Sequence, residues 1–185
     1  MDGTTSTTNP SEVASVPAPS LESRTTIVAI LISVFLMGAG MGVQGSAVSL
    51  RAGLEGFSES VIGIIGSANY VGLIVGSMVA PILIRNVGYV RSFAASASLG
   101  SAAAISHLLW ISPVPWMVFR AATGFSLSVM FVVAESWLNS SSSSHNRGRL
   151  LSAYSVVYLV SMGAGQPLLA VFPASGVEIF GATTV

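Results

Sequence analysis

Residues 25–50 read TTIVAILISVFLMGAGMGVQGSAVSL, an uncharged run of 26 residues closed by Arg51. A helix needs about 20 residues to cross a hydrocarbon core of about 30 Å, so this run is long enough to span a bilayer. Between Ile27 and Leu36 it holds eight Leu, Ile, Val and Phe residues. They supply roughly −2.5 to −5 kcal/mol of insertion free energy, enough to insert unaided. The other charged residues punctuate the chain in the same way. Ser60–Ile84 lies uncharged between Glu59 and Arg85, and Leu150–Val177 between Arg149 and Glu178. Ser92–Phe119 is divided by Ser112-Pro113-Val114-Pro115. Five spans follow, at about 25–49, 61–84, 90–111, 115–137 and 150–172. Backbone groups in hydrocarbon must be satisfied within the segment, and these segments are too long and continuous for barrel strands. The expected fold is an all-α, multi-pass helical bundle in the lipid bilayer.

Composition excludes the main alternatives. Of 185 residues, 52% are apolar and 8% charged, against about 25% charged in a soluble domain. Seven basic residues, all Arg, balance seven acids, so the basic excess of a nucleic-acid binder is missing. There is no Cys, which excludes a disulfide framework and thiolate metal sites. His107 and His145 stand alone, without the carboxylates a zinc site would need. No nucleophile with a base, phosphate-cradling loop or carboxylate pair is present. The expectation is a non-enzyme with no metal and no cofactor.

Residues 1–24 are rich in Ser, Thr and Pro without an apolar period, the composition of a disordered tail. The tail carries Asp2, Glu12 and Glu22 before its first basic residue, Arg24, which is wrong for a signal peptide. With the N-terminus in the cytoplasm, Arg24, Arg85, Arg91, Arg147 and Arg149 fall inside and only Arg51 outside. That is a clear positive-inside bias. Trp110 and Trp116 flank the outer turn, and Trp137 and Tyr89 the inner face.

Span one carries Gly38, Gly40, Gly42 and Gly45, and span two carries Gly63, Gly66, Gly72 and Gly76. Small residues let helices approach closely in lipid, and packing is the first reading of both sets. Bending of span one around a cavity is the second. Arg120 is the one charge well inside a span. At mid-bilayer it would cost roughly 2.5 to 3.5 kcal/mol. Two arrangements relieve that cost: snorkelling to the outer interface about 6 Å away, near Trp116, or facing a watery cavity. Glu135 lies about 22 Å further along the helix, too far to pair with Arg120, and is either a solvated helix-end acid or one half of a gate. Its nearest expected partners are the arginines of the inner loops. Gln44 is the best cavity candidate among the uncharged polar residues, because the glycines beside it leave room. His107 is expected at the outer interface, and His145 in the serine-rich inner loop.

The loop Arg85-Asn-Val-Gly88-Tyr-Val-Arg91 resembles the cytoplasmic loop signature of the major facilitator superfamily of secondary transporters. Gly88 and the following Arg91 are kept, whereas Pro81 replaces the first Gly and Arg85 the acid, leaving the usual gating salt bridge unsupported. Arg120-Ala-Ala-Thr-Gly124 is similar to the fourth-helix Arg-x-x-x-Gly motif, which is often linked to proton coupling. The segments Glu135-Ser-Trp-Leu-Asn139 and Asn146–Tyr154 look like an uncharacterised bacterial branch. Gly163-Ala-Gly165-Gln166-Pro167 departs from the Gly-Pro ending of the antiporter signature, so drug/proton antiport gains no support.

The resemblance covers about residues 25–180. It implies five helices of an N-terminal half, the start of a truncated sixth in 178–185, and a missing C-terminal half as partner. The implied activity is secondary transport of a small molecule by alternating access, with proton coupling the guess it adds. Arg120, Gly124 and Gln44 would then serve the cavity or coupling, and Arg85, Gly88, Arg91 and Glu135 the cytoplasmic gate. The alternative is a truncated or non-transporting membrane protein acting as a scaffold or subunit. Arginine without lysine, with much Ala and Gly, points to a GC-rich bacterium, and so to a bacterial plasma (inner) membrane.

Overall fold

The computed structural model describes residues 21–140 and 146–167. Five helices follow one another: α1 Leu21–Leu54, α2 Glu59–Val87, α3 Tyr89–Leu109, α4 Pro113–Ser140 and α5 Arg147–Gly165. No strand occurs among the described residues. The helices α1 to α4 are long and apolar enough to cross a membrane. The described part of α5 opens on Arg147 and Arg149 and carries Ser152, Ser155 and Ser161, which lowers its apolar content. Large apolar side chains face outward along the bundle, among them Ile32, Val71, Ile74, Met78 and Leu159. A soluble bundle would cover such faces; lipid makes them favourable.

The helices overrun the expected spans at most ends, because a helix persists into the polar interface. α1 starts at Leu21 rather than Thr25, and so takes in the last residues of the expected tail. It also runs past residue 49, where Arg51 donates to the Glu55 carboxylate at 2.7 Å. A Schellman-type turn ends it: Phe57 N–H bonds the Ala52 carbonyl and Gly56 N–H that of Gly53, with Gly56 at φ 78°. A single residue, Gly88, joins α2 to α3. α4 opens on Pro113, whose missing N–H costs nothing at a first helical position. Residues 1–20 of the expected tail, His145, the end of the fifth span and the expected sixth-helix start at 178–185 lie outside the described residues.

The central helix is α4, which carries buried residues from Trp116 to Leu138 and packs against α2 and α3. α1 packs chiefly on α5. Two glycine seams make these approaches close. A Cβ on Gly72, Gly76 or Gly124 would collide with the backbone of the facing helix in the α2–α4 pair. One on Gly42 or Gly165 would do the same between α1 and α5. The seams therefore follow the packing reading of the glycines. Three buried clusters complete the core. The first gathers Val43, Ala47, Ile65 and Trp116 near the α1–α2 and α3–α4 turns. The second joins Ile30, Val34, Ala134, Leu138 and Tyr154, and the third Ala80, Val129 and Val133, toward the arginine-rich end.

Candidate functional site

A cavity of about 160 Å³ lies between α1, α3 and α4. Gln44 lines it from α1, Ser101 from α3, and Thr123 and Ser126 from α4. The remaining wall is soft and apolar, with Met37, Met41 and Met130. Unbranched thioethers fill irregular space and yield to differently shaped contents. A second cavity of about 360 Å³ shares Ser33 and Phe93 with the first and reaches Thr25 and Trp137. The two cavities adjoin at those residues, and this adjoining pair, the cleft, extends from mid-bundle toward the arginine-rich end.

Arg120 is 9% exposed, one helical turn from Thr123. It sits inside the bundle instead of snorkelling to the surface. Its buried Nε donates to no acceptor among the described residues. The Thr123 hydroxyl donates to the Arg120 carbonyl at 2.9 Å and faces Asn69 Oδ1 at 3.4 Å. Asn69, buried on α2, is thus the cross-helix neighbour of this polar turn. Gly124 faces the Asn69 backbone directly, on the α2–α4 seam and away from the cavity lining. Ser126 is fully buried, lines the cavity, and its hydroxyl has no hydrogen-bond partner among the described residues.

The expected gate residues are spread over the arginine-rich end. Arg85, Arg91 and Glu135 are exposed, and among the described residues no ion pair joins Glu135 to either arginine. Glu135 instead lies beside the Tyr154 hydroxyl of α5. Arg147 of α5 donates to the Asn139 side chain of α4 across the same end. Gly88 holds the α2–α3 reversal at φ 84°.

The two aromatic groups near the α3–α4 turn are more deeply placed than the sequence indicates. Trp116 flanks that turn as expected but is fully buried, and its indole N–H donates to the Trp110 carbonyl at 2.7 Å. Its ring meets Phe57 edge-on at 5.3 Å. His107, expected at the interface, is 1% exposed. Its ring packs edge-on against Trp116 and Phe119, with Nδ1 2.9 Å from the Ala103 carbonyl. Sequence reasoning also passed over Thr123 and Ser126. Their one signal was hydroxyls three residues apart in the turns that follow Arg120.

The Major Facilitator Superfamily family model matches residues 30–179. Curated relatives named as uncharacterised MFS-type transporter YcaD come from Shigella flexneri and Escherichia coli. The Shigella flexneri serotype 5b protein is 31% identical over 143 residues, covering 77% of this chain and 37% of the relative. A protein of Escherichia coli O45:K1 is 30% identical over the same shares. The chain thus spans little more than a third of the length of the relatives it matches. By its family match and its helical, multi-pass architecture, the chain belongs to the Major Facilitator Superfamily.

Proposed function

We propose that this chain is part of a bacterial inner-membrane secondary transporter that moves a small solute by alternating access. The relatives' names support transport, and the supporting observation in the molecule is the cleft itself. It joins Gln44 and Thr123, beside the buried Arg120, to the arginine-rich end. Among the described residues Arg120 has no acidic partner, and a membrane-buried cation in that position costs several kcal/mol and is retained where a pathway uses it. On the positive-inside orientation the cleft opens to the cytoplasm, and the rest of the transporter supplies its other wall.

Roles follow from position. Gln44, Thr123 and Arg120 contact or attract the solute. Gly124 holds α4 against α2 so that Arg120 keeps its depth. Gly88, Arg85, Arg91 and Glu135 lie on the cytoplasmic reversals, where closure of the cleft would draw α2, α4 and α5 together. Proton coupling is the remaining element of the proposal. Uptake by the full-length transporter in proteoliposomes tests all of this. Arg120→Ala should abolish uptake while the protein still purifies folded; normal uptake by that variant removes Arg120 from the pathway. An imposed inward proton gradient should stimulate uptake, and indifference to the gradient and to a protonophore removes the coupling.

A further inference from the structure

We infer that the cleft takes an anionic ligand, a small carboxylate or phosphate ester, with Arg120 as its countercharge. On the transporter reading, on which this inference rests, that ligand is the transported solute. Three observations converge. The side chains lining the mid-bundle cavity include no Asp or Glu and no basic group, and Arg120, outside that lining but one turn from Thr123, is the nearest charge along α4. In a low-dielectric interior its field is weakly screened and reaches across a turn of helix. The acids with described side chains are away from the mid-bundle cavity: Glu55 and Glu59 at the α1–α2 turn, and Glu135 toward the arginine-rich end, next to Ala134 of the second cavity.

The unmet hydrogen-bonding capacity matches an anion too. Among the described residues Arg120 Nε and the Ser126 hydroxyl are both buried without a hydrogen-bond partner, and both can donate; Ser126 lines the cavity and Arg120 lies one turn beyond Thr123 at its edge. Buried donors left unpaired each carry a desolvation cost, which an oxyanion would relieve. Gln44 adds an amide N–H₂ from the opposite wall. A neutral or cationic solute would leave the guanidinium uncompensated. The second source of such a countercharge is an acidic side chain in the rest of the transporter.

Thermal melting of the detergent-solubilised full-length transporter separates these cases. Sodium acetate, succinate and phosphate would be compared with sodium chloride at equal ionic strength, in wild type and in Arg120→Gln, Arg120→Lys and Ser126→Ala variants. Excluded anions stabilise proteins generally, and that part of the shift is common to all variants. The expected result is an extra saturable rise in wild type. It should be absent in Arg120→Gln, partly kept in Arg120→Lys, and need about tenfold more anion in Ser126→Ala, the loss expected for one bond to a charged group. If wild type and Arg120→Gln respond identically, or wild type not at all, the inference is overturned. Restoration of Arg120→Gln stability by neutralising an acid in the remaining helices would also overturn it, by giving the countercharge to the protein. The assay needs no turnover: a protein that binds the anions through Arg120 but moves no solute contradicts the transport reading alone.

Discussion

Gly88 holds φ 84° and ψ 172°, a region open in practice only to glycine. An added Cβ there would meet nothing within 4 Å. Backbone conformation, not space, reserves the position. Gly88→Ala should therefore cost about 1–3 kcal/mol and lower the melting temperature, whereas an unchanged melt would show that the reversal tolerates a side chain. Trp116 is the opposite case, a fully buried anchor. Trp116→Ala should cost about 3–5 kcal/mol, and Trp110→Ala, at an exposed position, within about 0.5. Equal losses in the two melts would contradict the burial difference. From the sequence these tryptophans looked alike, because both flank the α3–α4 turn among apolar neighbours that do not mark which residue turns inward. Arg120 was legible as the costly residue of that helix, but its depth was not, since a long side chain reaches either the interface or the interior.

At the scale of the element, charge punctuation located the five helices well, and their ends poorly. Helices continue through the interface until a residue such as Gly56 or Gly88 turns the chain, and uncharged length alone does not register that. The glycine seams are a similar case. Gly63, Gly66, Gly72 and Gly76 look equivalent in the sequence, yet only Gly72 and Gly76 meet a neighbouring backbone. Substitution should separate them: Gly72→Ala and Gly124→Ala force α2 and α4 apart, at about 1–3 kcal/mol each. Gly63→Ala and Gly66→Ala, with open space, should leave the melt unchanged or slightly raised. On the α1–α5 seam, Gly42→Ala strikes the Met162 backbone, whereas Gly38→Ala meets chiefly the Ser161 side chain, which can rotate. Gly42→Ala should thus be the more damaging of the two in the same measurement. The reverse order would mean that α1 and α5 meet on a different face.

For the molecule as a whole, the two close pairs, α2–α4 and α1–α5, leave the cleft between α1, α3 and α4 free to lead toward the arginine-rich end. The transport proposal needs that end to be cytoplasmic. This chain has no cysteine of its own, so a cysteine introduced into it is its single labelling site. Suitable exposed positions are Ser58 and Ser112 at one end, with Asn86 and Gly148 at the other; an added Cβ on Gly148 meets nothing within 4 Å. The most direct measurement is reaction of these variants, in intact cells, with a membrane-impermeant maleimide. The proposed topology requires Ser58→Cys and Ser112→Cys to label at once, and Asn86→Cys and Gly148→Cys only after permeabilisation. Labelling of Asn86→Cys or Gly148→Cys from outside would put the arginine-rich end on the wrong side and contradict the cytoplasmic opening of the cleft.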